Sequence, residues 1–292
     1  MRNVKRFCVP ALGIVLLAVG VAWGWYGTGH QRATRSACKA LPGAMPTFFA
    51  AGADTIAHCA ADPDLFRLRA NPALRDAEVP THFFDLELLG GAKPPAKRSA
   101  YVALCMDKEI NPAKVGYLPY AIVEWTQRLT IAFAEHRKWP GNPRIRAKCL
   151  VYAGLLSHYA QDACQPLHTT IHYDGRAKAD GSSPRSGVHA KVDALLHKLK
   201  ATGKAVKPAA YKDLFAAVIG QIRRSHKLVD RVYELADKLP APDDPLPADS
   251  PVAAFAAERL SAAEQFTASL YLTAWTNSAK VELPDWHKRK AN

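Results

Sequence analysis

The chain has a single long apolar run, too few acids for its bases, and almost nothing that alternates like a strand. Of its 292 residues, 26 are Asp or Glu against 39 Lys or Arg, a formal charge of +13. Only residues 7–26 approach the length that spans a bilayer, which excludes a polytopic membrane protein. Cysteine numbers six, and no two stand as Cys-x-x-Cys, so a cysteine-held zinc site is not expected. No internal repeat is visible, and strand-like alternation is confined to a partial case over residues 81–88. Apolar residues make up 49% of the chain, which excludes a disordered polymer. The excess of positive charge points to an anionic partner: nucleic acid, a phospholipid surface or a phosphate ester.

The start of the chain reads as an export signal. Arg2, Lys5 and Arg6 precede the apolar run, and the small residues Ala22 and Gly24 occupy the positions a signal peptidase reads. Residues 1–24 are therefore expected to be a cleaved signal, with a retained anchor as the alternative. The protein is then secreted or periplasmic. Removing residues 1–24 takes away three bases and no acid, so the charge falls from +13 to +10. Cys38, Cys59, Cys105, Cys149 and Cys164 remain, and outside the cytosol some are expected to form disulfides.

Residues 25–292 read as an all-α, single-domain bundle of seven to nine helices. Apolar periodicity predicts helices over 119–139, 144–162, 188–201, 211–239 and 253–278. The first ends at Trp139-Pro140-Gly141 and the second at Gln165-Pro166. Residues 240–251 carry five prolines and form a loop.

Chemistry concentrates in four places. His158 and Asp162 are four apart on a predicted helix, so they share a face, and Pro166 can turn His168 back beside them. His189 and Asp193 repeat the spacing. One such pair is common on a solvated face; two within 36 residues, with His168 between, suit a metal that takes nitrogen and hard oxygen donors. His82 and Asp85 follow Asp62, Asp64 and Arg67, although a lone His among apolar residues is more often a hydrogen-bonded core residue. Cleavage after Gly24 would give Trp25 an α-amine able to bind a metal, and Gly27 and Gly29 would let the chain curl so that His30 meets the same ion.

These elements, in this order, resemble the superfamily that joins zinc-dependent single-strand nucleases of the S-one and P-one type with bacterial zinc-dependent phospholipases C. The resemblance runs from Trp25 to about Asp193, and its most specific part is His158, Asp162 and His168 with Gln165-Pro166-Leu167. It implies a helical fold with three zinc ions in a cleft. One would be held by Asp64, His82, His158 and Asp162. A second would be held by His168, His189 and Asp193. The third would be held by the amine and carbonyl of Trp25, by His30 and by Asp162 as a bridge. Asp64 is preferred to Asp62 because Arg67 lies three residues on, as a basic residue does in the nuclease branch. The resemblance makes Arg67 a phosphate contact and Asp85 the carboxylate that orients the attacking water.

The implied activity is hydrolysis of an anionic phosphodiester by a monomer. The short spacing from Trp25 to His30, the Asp at 193 and Tyr173-Asp174-Gly175 resemble the nucleases. The stretch after His168 departs from them, and Gly187-Val188-His189 resembles the phospholipases. The charge favours single-stranded nucleic acid. A phospholipase C is the alternative, and a noncatalytic exported anion-binding protein is the second.

Overall fold

A computed structural model describes residue 25, residues 27–200 and residues 205–289. The expected signal segment, residues 1–24, lies outside these. The described residues form helices joined by loops, with no strand among them and only an isolated bridge between Tyr173 and Gly175. None of their helices is long and apolar enough to cross a membrane.

Six helices of ten residues or more carry the bundle: α1 (Gly27–Lys39), α2 (Arg98–Asp107), α3 (Leu118–Lys138), α4 (Pro143–Asp162), α5 (Leu214–His226) and α6 (Pro251–Ser278). Helices α3 and α4 pack along each other, and α6 lies against both. Local chemistry starts them where the sequence suggests. Pro143 opens α4, where a missing N–H costs nothing, and the Asn142 Oδ1 accepts from the backbone N–H groups of Arg144 and Ile145 at 3.0 and 3.3 Å. Ser250 caps α6 in the same way, accepting from the Ala253 N–H at 3.1 Å. His136, Arg137 and Lys138 close α3 beside its free carbonyls, where positive charge is favoured.

Helix α4 is the axis of the molecule. Its last ten residues, from Ala153 to Asp162, are all buried. The helix Ala53–Cys59 crosses it at Gly154, where a Cβ would stand 2.5 Å from the Cys59 Cβ and 2.6 Å from the Ile56 carbonyl oxygen. Phe49, Phe133 and Tyr271 pack beside this crossing with ring centroids 5.2 Å apart, and the Tyr271 hydroxyl donates to the Ala153 carbonyl at 3.0 Å.

The structure departs from the sequence expectations at five points. The helix expected over 211–239 is broken into α5, Val229–Glu234 and a 3-10 turn, Ala236–Lys238. It starts late because the Asp213 carboxylate caps it at the Ala216 N–H, and it stops at His226 as Leu228 N–H bonds back to Ser225 O. Residues 188–201 give two short helices, Val188–Asp193 and Leu195–Lys198. The partial alternation over 81–88 is not a strand. It is a link between two 3-10 turns, whose Phe84 N–H bonds to His168 O at 2.9 Å and Asp85 N–H to Val115 O at 2.7 Å. Gly27 and Gly29, expected to let the chain curl back towards His30, open α1, where Gly29 lets the Leu196 Cβ approach to within 3.2 Å of where its own would be. The expected disulfides are absent among the described residues: all five cysteines there are free and buried, packed singly as small apolar side chains.

One polar staple ties these segments together. Glu87 accepts from Thr170 Oγ1 (2.5 Å), from the Ile171 N–H (3.2 Å) and from His226 Nε2 (2.8 Å), which joins the 3-10 turn Leu86–Leu89, the stretch after His168, and the end of α5. Burial alone would raise its carboxyl, but the bonds from His226 and Thr170 outweigh it and bring it from an ordinary 4.5 to about 2. A value depressed in the folded chain contributes stability above the unfolded value and loses it as pH falls through the folded one. Glu87→Gln should therefore unfold at lower denaturant than the wild type at about pH 5.5, with the gap closing towards about pH 2. Gly154→Ala should cost about 1–3 kcal/mol in denaturant unfolding, because backbone and not a flexible side chain stands in the way.

Candidate metal centre

Five imidazoles and three carboxylates converge below the C-terminal end of α4. His158 and Asp162, one turn apart, point to the same side. The Ala53–Cys59 crossing and the following turn bring in Asp64, the 3-10 turn Val79–His82 brings His82, and α1 brings His30. The chain then turns at Pro166 to return His168, and Val188–Asp193 contributes His189 and Asp193 on adjacent turns. All eight side chains are buried.

Their ligand atoms form three close groups: His30, Asp64 and His158; His82, His158 and Asp162; and His168, His189 and Asp193. In the second group, His82 Nδ1 lies 3.0 Å from both Asp162 Oδ2 and His158 Nε2, and His158 Nε2 lies 3.3 Å from Asp162 Oδ2. In the third, His189 Nε2 lies 3.2 Å from His168 Nε2 and 3.1 Å from Asp193 Oδ2. Asp162 joins the groups, its other oxygen facing His30 Nε2 at 3.6 Å and the His168 ring at 3.7 Å. The imidazoles of His30 and His158 stack with centroids 4.0 Å apart. His30 thus faces Asp162, as expected, and also shares a group with Asp64 and His158.

Outer contacts aim most of the rings. The Nδ1–H of His158 donates to Ala60 O (2.8 Å), that of His168 to His82 O (2.7 Å), and that of His189 to Tyr173 O (3.0 Å). The amide NH2 of Gln161 donates to Thr34 Oγ1 (2.9 Å), so its oxygen faces and receives His30 Nδ1–H at 2.7 Å. Each of these rings thus turns Nε2 inward. His82 is reversed: Nδ1 faces the group and Nε2 lies 3.4 Å from Glu78 Oε1.

The charge balance is that of a site made to receive a cation. With both Nδ1 protons committed, the Nε2 lone pairs of His168 and His189 meet 3.2 Å apart, and only a cation or a shared proton between them offsets that repulsion. His30 Nε2, Asp64 Oδ2, Asp162 Oδ1 and Asp193 Oδ2 are buried without a hydrogen-bond partner, although such groups are rarely left unsatisfied. Burial pushes His30 down to about 3, with His158 reinforcing it. Burial would also lower His158, but Asp162 and Asp64 overcome it and raise it to about 9. Burial would raise Asp162, yet His168 and His158 hold it well below the usual carboxylate range. These buried groups can hold metal ions.

Family profiles and curated proteins return no match to the chain.

A cavity of about 420 Å³ opens over the centre. Arg67, His82, Asp85, Lys114, His168 and His189 line it, with apolar walls from Val79, Phe83 and Leu167. Arg67 Nη1 donates to Asp64 Oδ1 at 2.9 Å, which places its guanidinium beside the metal-ligating group. Burial raises the Asp85 carboxyl well above the usual range, with Glu87 adding to the effect and His189 opposing it. Of the two acids weighed before Arg67, Asp64 is the one in the centre. Trp25 is buried beside it, its indole N–H donating to Gln161 O at 3.2 Å. The α-amine expected of it concerns the junction with residues 1–24, outside the described residues.

Sequence reasoning missed the groups that orient the ligands. Gln161 and Gln165 flank Asp162 within the motif itself, and Gln165 Nε2 donates to Asp193 Oδ1 at 2.8 Å. Glu78 precedes His82 by one helical turn, a spacing that was available to be noticed. Ala60 O and Tyr173 O are backbone groups and leave no signal in residue type.

The shared position of Asp162 gives a direct test. Asp162→Asn should lower the divalent metal bound per chain by more than one equivalent, whereas Asp193→Asn should remove one. Elemental analysis after dialysis reads both. Loss of a single equivalent from Asp162→Asn would contradict its bridging place.

Proposed function

We propose that the protein is an exported zinc-dependent phosphodiesterase acting on single-stranded nucleic acid. The observation that carries this reading is the inward convergence of lone pairs from buried, outer-bonded imidazoles beneath a cavity that also holds Arg67 and Asp85. The donor set is nitrogen and carboxylate oxygen with no thiolate, which suits zinc. Donor atoms about 2.0–2.1 Å from a tetrahedral zinc stand about 3.3 Å apart. The separations of 3.0–3.3 Å in the His82 group and 3.1–3.2 Å in the His189 group fit that spacing. Three ions are proposed: one with Asp64, His82, His158 and Asp162; one with His168, His189 and Asp193; one with His30, Asp162 and the Trp25 terminus.

Zinc bound there supplies Lewis-acid activation of water and of the phosphoryl group. The chain's own residues do the rest. Arg67, fixed by Asp64, offsets charge on the phosphoryl oxygens. Asp85, in a cavity that raises its carboxyl, accepts a hydrogen bond from the attacking water and holds its proton. The apolar walls keep bulk water away from the reacting phosphate. The basic balance of the chain favours a polyanion over a zwitterionic lipid.

One observation favours phospholipase C as the second reading. Leu65 and Leu68, on either side of Arg67 in the sequence, stand half-exposed, and exposed apolar side chains suit a lipid.

The test is a panel of single-stranded DNA, RNA, 3′-nucleotides and phosphatidylcholine vesicles with the zinc-loaded protein. Cleavage of the nucleic acids is expected, lost with chelator and restored by zinc. Bound zinc of one equivalent or none, or hydrolysis of the lipid alone, would reject the reading. Asp85→Asn should lower kcat by about 10²–10³ with zinc content unchanged, the range seen for loss of one positioned proton acceptor or donor.

A further inference from the structure

Two basic residues line the cavity, and they are held in different ways. Arg67 is engaged by Asp64 and stands at the buried centre. Lys114 lies on the opposite chain segment, Pro112–Val115, and is exposed at the mouth. Among the described residues no hydrogen bond or ion pair engages its ammonium.

The backbone beneath Lys114 is nevertheless firmly placed. Asn111 caps the short turn by accepting from the Ala113 N–H at 2.9 Å, and the Lys114 N–H donates to Asn111 O at 2.9 Å. Val115 O receives the Asp85 N–H at 2.7 Å, so the segment is tied to the residue proposed to orient water. Gly116, at φ +104°, follows; a Cβ there would fall 2.0 Å from Phe83 O, so only glycine allows this close approach. A rigid base thus carries a long flexible ammonium at the entrance of the site. A lysine in that state is a compact point charge suited to a phosphate that arrives with the substrate.

The scissile phosphate is served by the buried groups and Arg67. The anion that passes the mouth is a different one. We propose that Lys114 binds the phosphate next to the scissile one on a polynucleotide strand and so sets a preference for oligonucleotides over single phosphodiesters. The proposal rests on the phosphodiesterase reading above.

The experiment compares the zinc-loaded full chain and its variants on a thymidine trinucleotide and on bis(p-nitrophenyl) phosphate, which carries one diester only. Lys114→Gln should raise KM for the trinucleotide about tenfold with kcat kept, the scale of one charge-assisted contact. The ratio of kcat/KM between the two substrates should fall by the same factor. The slope of log KM against log salt should shrink by about 0.7, the release expected from one single-strand phosphate contact. Lys114→Arg should restore the ratio. Lys280→Gln removes an exposed charge just after α6 and should leave the ratio where it was.

Equal ratios in wild type and Lys114→Gln, or an equal fall in Lys280→Gln, would overturn the assignment while the diester activity stood. Hydrolysis of neither substrate by the zinc-loaded wild type would overturn the phosphodiesterase reading and this assignment with it.

Discussion

Asp162 is buried at the end of a helix whose own macrodipole is negative there, and both of its oxygens face imidazoles from other parts of the chain. A carboxylate in that position is costly unless positive charge surrounds it. His30 from α1, His82 from a 3-10 turn, His158 from the same helix and His168 from the following turn gather around it. The bundle must hold four separate segments in register for one anion to be compensated. Much of the fold can be read as meeting that requirement, from the glycine that lets a neighbouring helix cross α4 to the Glu87 staple behind His168.

The same requirement explains why polar groups are placed where a core would ordinarily be apolar. Thr34, Ser157 and Gln161 form a buried chain, Gln161 Nε2 to Thr34 Oγ1 at 2.9 Å and Thr34 Oγ1 to Ser157 Oγ at 3.0 Å. That chain fixes which way the Gln161 amide lies, and the amide fixes which nitrogen of His30 carries its proton. Carbonyls of Ala60, His82 and Tyr173 do the same for the other rings. Orientation is set one shell out from the donors, so the donors themselves are left with unsatisfied atoms pointing at one another. A cation bound there would offset the stability lost and so couple folding to metal uptake.

The cavity sorts its charges by depth. Arg67 is paired and partly covered, whereas Lys114 is exposed at the rim on a backbone tied to Asp85. On the proposed reading, the fixed charge of Arg67 and the mobile charge of Lys114 would divide two tasks, stabilisation and capture.

The sequence by itself determined the helical class and the helices α3, α4 and α6, because caps such as Asn142-Pro143 and Ser250-Pro251 act within a turn of the residues they serve. It also made His158, Asp162, His168, His189 and Asp193 legible, since helical spacing puts those pairs on common faces whatever the rest of the chain does. Only the tertiary structure decided that the five cysteines of the described residues stay single and that Gly29 serves the packing of α1 against Leu196. It also decided which groups aim the rings. Those outcomes depend on contacts between residues from about 80 to 165 positions apart, such as His82 with Asp162 and Gly29 with Leu196. They depend also on backbone carbonyls that every residue carries alike, and neither leaves a mark in local sequence pattern.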